Sequence, residues 1–176
     1  IETVLLSDTS KITELDIHRS GFPTRMMGLT PVLQALGHRP ALTNLALREF
    51  PLYRDEVRLL GMALCNTLFL QSLDLGENDL GSAGLGELAP ALYQNTSIKD
   101  LNLSYNNLDD MESAELLRDI LCSNKTMTTL NLPENAFGQT TGAVECIADA
   151  QRAPRRRTDT PRAKLHAYAK AFLGPV

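Results

Sequence analysis

Apolar and polar residues follow one another in a unit that recurs along most of the chain. The clearest copy runs from Leu70 to Leu80 and has the pattern L-x-x-L-x-L-x-x-N-x-L. Four more copies cover residues 12–22, 42–52, 98–108 and 127–137. Successive copies begin 28 to 30 residues apart. Because one such unit cannot bury its own apolar face, this period predicts a repeat architecture whose stacked units share a core.

Two different spacings occur inside each unit. Leu73 and Leu75 are separated by one polar residue, and this period of two predicts a short strand with one buried face. After the strand the apolar residues lie three and four apart, as in Leu85, Leu88 and Leu92, which predicts a helix. A chain that alternates strands and helices in this way is expected to fold as an α/β protein with a parallel sheet.

Polar residues mark the expected ends of these elements. Asn78, Asn106 and Asn135 close the pattern and are expected to hydrogen-bond backbone groups where the chain leaves each strand. Ser20 and Phe50 replace this asparagine in the first two copies, which predicts less regular turns there. Candidate helix starts are Ser82, Asp109 and Asp110, and candidate helix ends are Asn66, Asn95 and Asn124.

The stretch LQSLDLGENDLGSAGLGELAPALYQNTSIKDLNLSYNNL, from Leu70 to Leu108, resembles the leucine-rich repeat family and, within it, the ribonuclease-inhibitor-like subclass. The resemblance implies a horseshoe arc with parallel strands on the concave face and helices on the convex face. The same subclass includes ribonuclease inhibitor, NOD-like receptors and the Ran GTPase-activating protein. It therefore implies a protein-binding scaffold, and leaves open a GTPase-activating module and a ligand-sensing segment of a NOD-like receptor.

The net charge of −4 conceals two segments of opposite sign. Residues 1–150 hold 10 Lys and Arg against 20 Asp and Glu, whereas residues 151–176 hold seven against one. We therefore expect two parts: an acidic arc of about five repeats over 1–150, which is incomplete at its N-terminus because an upstream repeat is expected to precede it, and a basic tail over 151–176. The acidic arc carries no signal for nucleic-acid binding.

The residues between the buried leucines of each strand should point to the open concave face. Among the candidates on this face, acidic side chains outnumber basic ones, which favours a basic protein partner. Tyr105 adds an aromatic anchor of the kind that is enriched in binding hot spots. The candidate contacts are Glu14, Asp16, His18, Arg19, Arg48, Glu49, Asp74, Glu77, Asp100, Asn102, Tyr105, Asn131 and Glu134.

The basic tail is a separate candidate site. Its cationic residues are Arg155, Arg156, Arg157, Arg162, Lys164 and Lys170. It is interpreted as a disordered extension or a short amphipathic helix that could contact an anionic surface. A third hypothesis is that the tail folds back onto the acidic concave face as a ligand of its own chain.

No group of residues in the sequence has the spacing of a catalytic centre, a metal site or a cofactor site, and we expect no enzymatic activity. The histidines do not pair at metal-binding spacings. Cys65, Cys122 and Cys146 are too far apart to form a short metal motif, and we expect them to fill the core on helices. The absence of a transmembrane segment and of a cysteine framework favours an intracellular protein, most simply cytoplasmic, with the nucleus also open.

Overall fold

The computed structural model describes residues 12–18, 29–36, 41–137 and 142–152. Strands and helices alternate along these residues, as the repeat predicts. The strands are β1 (Glu14–His18), β2 (Asn44–Arg48), β3 (Ser72–Asp74), β4 (Asp100–Asn102) and β5 (Thr129–Asn131). The helices are α1 (Thr30–Leu36), α2 (Arg54–Asn66), α3 (Gly81–Gln94), α4 (Met111–Ser123) and α5 (Ala143–Arg152).

The five strands form one parallel sheet in the order β1-β2-β3-β4-β5. The register places the same repeat position of every unit side by side, so that Leu45, Leu73, Leu101 and Leu130 form one row. Each of these four leucines is at most 5% exposed. Because one face of the sheet is apolar and covered, the alternate side chains of the same strands lie on the opposite face, which is called the strand face below.

The helices cover the apolar side of the sheet and pack against their neighbours along the chain. The predicted helical rows are confirmed, since Leu85, Leu88 and Leu92 are fully buried. The prediction for the cysteines holds only for Cys146, which is buried, and is wrong for Cys65 and Cys122, which are exposed. The last two lie on the outer surfaces of α2 and α4, where no neighbouring layer covers them.

The pattern asparagines hold the turns together, as predicted. Asn106, which is fully buried, donates from Nδ2 to the carbonyl oxygens of Leu75 at 2.7 Å and Ser104 at 3.0 Å, and its Oδ1 accepts the amide of Leu80 at 3.3 Å. One repeat earlier, Asn78 donates to the Leu47 carbonyl and its Oδ1 accepts the Phe50 amide. One repeat later, Asn135 donates to the Leu103 carbonyl and its Oδ1 accepts the Leu108 amide. Each asparagine thus satisfies backbone groups of the preceding turn.

Two local predictions have different outcomes. The turn after β2 is less regular, as expected: Asp79 and Asn107 adopt positive φ in the next two turns, and the equivalent residue here is Pro51, whose ring excludes that conformation. The prediction of a helix start at Ser82 is wrong, because α3 already begins at Gly81. Ser82 instead hydrogen-bonds Asp110 of the next repeat.

The described helices are all short, and the longest, α3, has 14 residues. Among the described residues, none of the helices combines the length and the apolar character needed to cross a lipid bilayer.

Candidate functional site

The strand face is built from three rows of side chains that cross the sheet. In the first row, Glu14, Asn44, Ser72, Asp100 and Thr129 are in register. The second row consists of Asp16, Ala46, Asp74, Asn102 and Asn131. In the third row, His18 lies beside Arg48 at the ends of β1 and β2. Parallel pairing therefore brings together candidate residues that are about thirty positions apart in the chain.

The second row is tied together by side-chain hydrogen bonds. The Arg48 guanidinium lies 3.0 Å from Asp16 Oδ2 and 3.8 Å from Asp74 Oδ2, between the two carboxylates. Asn102 Nδ2 then donates to Asp74 Oδ1 at 2.8 Å, and Asn131 Nδ2 donates to Asn102 Oδ1 at 3.0 Å. A continuous ladder of polar contacts therefore runs from β1 to β5. Its side chains were predicted from the sequence to contact a ligand, but here they contact one another.

Asp74 stabilises the fold, a role that was not predicted from its place in the sequence. Besides Asn102 and Arg48, its carboxylate accepts the Gly76 amide at 2.9 Å, and its side chain is only 27% exposed. Asn102 makes the same turn contact in the next repeat, where its Oδ1 accepts the Ser104 amide at 3.1 Å. Both side chains organise the turns that follow their strands, and the more accessible acids of the face lie elsewhere.

The turns that follow the strands carry these accessible groups. This C-terminal edge of the sheet, residues 49–53, 76–80, 104–110 and 133–137, contains six carboxylates and no lysine or arginine. The residue directly before the asparagine position of the repeat pattern is exposed in four successive turns, and it adopts a positive φ of 53–62° in each. These residues are Glu49, Glu77, Tyr105 and Glu134. Left-handed backbone favours glycine or asparagine, so Glu and Tyr are held there against their intrinsic preference.

Two more polar groups of this edge, Asp79 and Asn107, were missed by the sequence analysis, and a third, Asp110, was predicted only as a helix start. Asp79 and Asn107 are exposed, adopt positive φ and hydrogen-bond each other across two repeats. Asp110 accepts the Ser113 amide at 2.7 Å as the N-cap of α4. Burial raises the pKa of the Asp110 carboxyl, but hydrogen bonds from Ser113 and Ser82 outweigh it and leave the pKa below its ordinary value. Asp79 and Asn107 could have been found from the sequence, because each directly follows a pattern asparagine.

The remaining predicted contacts are only partly placed. His18 is exposed at the end of β1 and has an interaction partner. Arg19 and the six cationic residues of the basic tail lie outside the described residues. Among the residues that the structure describes, no three His, Cys, Asp or Glu side chains are grouped in a way that could hold a metal ion.

Comparison with known proteins identifies the repeat. A family model described as leucine-rich repeat matches residues 68–89 and 94–110, which include all of β3 and β4 and most of α3. The fold is a leucine-rich-repeat solenoid. The leucine-rich-repeat solenoid is also similar to a solved structure, Leiomodin-1 Actin-Binding Site 2, with a TM-score of 0.62 at 20% identity over 86% of this chain and 87% of that chain.

Two curated proteins contain segments that are similar to this chain. The NACHT, LRR and PYD domains-containing protein 14 of Homo sapiens is 38% identical over 80 residues, which are 45% of this chain and 7% of that protein. The Tonsoku-like protein of Bos taurus is 31% identical over 148 residues, 78% of this chain and 11% of that protein. The chain thus spans about a tenth of the length of the curated relatives it matches.

Proposed function

We propose that the solenoid is a non-catalytic module that binds a basic segment of a partner protein on the strand face and its C-terminal edge. The observation that carries this proposal is the row of Glu49, Glu77, Tyr105 and Glu134, exposed at one repeated backbone position. Four strained positions that present three carboxylates and an aromatic ring at regular spacing favour a role in binding over one in folding.

The electrostatics of the face support a cationic ligand. The described face and edge hold seven of the predicted acidic contacts and one arginine, Arg48, whose charge Asp16 and Asp74 already balance. Arg54 follows the edge at the start of α2 and pairs with Glu87 at 2.8 Å. Carboxylates in excess on an open surface steer a basic partner and reject acidic ones.

The fold and the comparisons point to the same class of function. A solenoid offers a broad open surface for proteins, and small-molecule catalysis usually needs a closed pocket. The 28- and 29-residue spacing, with a full helix in each unit, also supports the ribonuclease-inhibitor-like subclass. The GTPase-activating alternative is not favoured by a specific observation, since Arg48 of the strand face is already engaged by two carboxylates.

The test is a charge reversal that leaves the ladder intact. Glu77→Lys together with Glu134→Lys should weaken binding of a fluorescein-labelled lysine-rich peptide by about tenfold or more at low salt, measured by fluorescence anisotropy. Both residues are exposed and keep a non-glycine side chain, so the fold should be unchanged. The matched control is Glu112→Lys with Glu115→Lys on the exposed surface of α4, which makes the same change in net charge.

The two pairs separate a site from a general charge effect. Weaker binding in the first pair alone supports the proposal. Equal weakening in both pairs, or normal binding by the first pair, would contradict it. Tyr105→Ala should also weaken binding while leaving the salt dependence nearly unchanged, because it removes apolar contact area and no charge.

A further inference from the structure

A second exposed feature lies at the opposite edge of the sheet, where α2 leads into β3. Leu68 and Phe69 are 71% and 55% exposed, although large apolar side chains normally lie inside. The two residues before the buried pattern position are polar in the next two repeats: Thr96 and Ser97, then Lys125 and Thr126. The repeat itself therefore does not require an apolar pair at this place.

Other apolar groups extend the pair into a patch. Met62 is 60% exposed on α2, and Cys65, one turn later, is exposed on the same side of the helix. A depression of about 120 Å³ separates α2 from the end of α3. It is lined by Leu64, Cys65, Thr67, Leu68, Gln94, Asn95 and Thr96. Met62, Cys65, Leu68 and Phe69 are called the apolar edge below; clustered exposed apolar groups of this kind mark interaction surfaces.

The charge around the apolar edge is the reverse of the charge on the strand face. The segments that lead into β3, β4 and β5, residues 66–71, 95–99 and 124–128, contain no carboxylate. Their two lysines are exposed and donate to neutral oxygens: Lys99 Nζ to Gln71 Oε1 at 3.1 Å, and Lys125 Nζ to the Cys122 carbonyl at 2.7 Å. Lys125 occupies the same repeat position as Leu68, two repeats later. At a strand spacing of ~4.8 Å, the two positions are about 10 Å apart.

We propose that the apolar edge is a second docking surface, for an acidic protein segment that places a large apolar side chain against Leu68 and Phe69 while its carboxylates meet Lys99 and Lys125. Charge complementarity selects this occupant. In a symmetric contact between two copies of this chain, the same surface would face itself and bring the lysines of both copies together. This partner is acidic, whereas the partner proposed for the strand face is basic, so the two proposals can be tested independently.

The test uses residues that the repeat already accepts at these positions. Leu68→Thr with Phe69→Ser copies Thr96 and Ser97 of the next repeat, so the variant is expected to fold, as checked by circular dichroism. The probe is a short peptide with a Leu-Leu pair flanked by glutamates. Amide chemical shifts of the ¹⁵N-labelled chain should change at the apolar edge on titration, and the double variant should bind at least about tenfold more weakly.

Two control peptides and two double variants identify the source of the binding. In one control peptide lysines replace the glutamates, and in the other alanines replace the leucines. Neither peptide should change the amide chemical shifts of the apolar edge. Lys99→Glu with Lys125→Glu should weaken binding of the acidic peptide, whereas Glu77→Lys with Glu134→Lys should not. Equal binding by the Leu68→Thr, Phe69→Ser variant, or shifts confined to other surfaces, would overturn the proposal.

Analytical ultracentrifugation tests whether the apolar edge binds a second copy of this chain instead. If the wild-type chain self-associates and the Leu68→Thr, Phe69→Ser variant stays monomeric, the apolar edge binds a second copy and the proposal is wrong. A monomeric wild-type chain that binds the acidic peptide supports it.

Discussion

Single buried asparagines connect the repeats of this protein. The side chain of Asn106 bridges its own turn and the one before it, and Asn135 Oδ1 accepts the amides of Asn106 and Leu108. A buried backbone group that loses its partner costs about 1–3 kcal/mol, which is a large share of a typical folding free energy. The stability of the solenoid therefore depends on a few polar side chains as much as on its leucines.

Asn106→Ala should lower the free energy of unfolding by about 3 kcal/mol, because the Leu75 carbonyl and the Leu80 amide lose their buried partner. Urea denaturation followed by circular dichroism measures the change. Asn44→Ala is the matched control: the Asn44 side chain is exposed and makes a single 3.3 Å bond, to Glu14, so the loss should be below about 0.5 kcal/mol. Similar losses in both variants would show that the buried amide contributes little.

Sequence reading succeeded for residues whose role follows from the period, and failed for residues whose role depends on a lateral neighbour. The buried leucines and the turn asparagines were predictable because each repeats at one offset. The pairing of Arg48 with Asp16 and Asp74 was not, because it depends on the reach of one long side chain across two strands. Exposed Cys65 and Cys122 were misjudged because helical spacing alone does not show where the covering layer ends.

Helix α4 shows how a local cap links neighbouring elements. Asp110 stands at its N-terminus and accepts the Ser113 amide, while the hydroxyl of Ser82, from the first turn of α3, also hydrogen-bonds the Asp110 carboxylate. These donors hold the pKa of Asp110 below its ordinary value of 3.8, against the opposing effect of burial. The charged form therefore stabilises both the start of α4 and its contact with α3.

Asp110→Ala should lower the free energy of unfolding by about 1 kcal/mol at pH 7. Because the folded pKa is the lower one, this stabilisation is complete above pH 3.8 and is lost as the pH falls through the folded value. The difference between variant and wild type should therefore narrow in acid, as measured by urea denaturation at several pH values. Glu112→Ala, in the same helical turn, should cost only about 0.3 kcal/mol, and a pH-independent gap for Asp110→Ala would contradict this account.

Element boundaries were predictable only where a single residue decides them. The prediction that Asp110 marks a helix start is confirmed by its cap geometry. Ser82 was not resolved from the sequence because Gly81, at a φ of 57°, already turns the chain into α3. The exposed pair Leu68 and Phe69 also escaped notice, since it lies in a connection where the pattern places no constraint on polarity.

At the scale of the whole molecule, the parallel register gives the sheet two chemically different edges. The C-terminal edge carries carboxylates, and the opposite edge, where the chain enters the strands, carries Lys99, Lys125 and the exposed pair Leu68 and Phe69. In the described repeats, acidic residues lie in the turns that follow the strands and neutral or basic residues lie in the segments that lead into β3, β4 and β5. Parallel pairing therefore places the two kinds of segment at opposite edges of the sheet. Under the two proposals, the sign of a partner's charge favours one edge over the other, and apolar contacts with Leu68 and Phe69 complete the selection at the second.

The central repeat should be the most stable part of the solenoid. Among the described strands, β3 has two on each side, and the main contacts of each described helix are with its neighbours along the chain, so cooperative support is greatest around β3. Amide hydrogen exchange should show protection at least about tenfold greater for Leu75, bonded to the Asn102 carbonyl, than for Asn44, bonded to that of Thr13. Equal protection would indicate that all repeats open as one unit.

The direction of the asparagine bonds has a consequence for synthesis on the ribosome. Every pattern asparagine reaches back to a turn that lies about thirty residues closer to the N-terminus. A nascent chain that has passed Leu75 but not yet Asn106 thus carries an unfinished turn, and each newly emerged repeat completes the one before it. We therefore expect each turn to be completed only after the repeat that follows it has been translated.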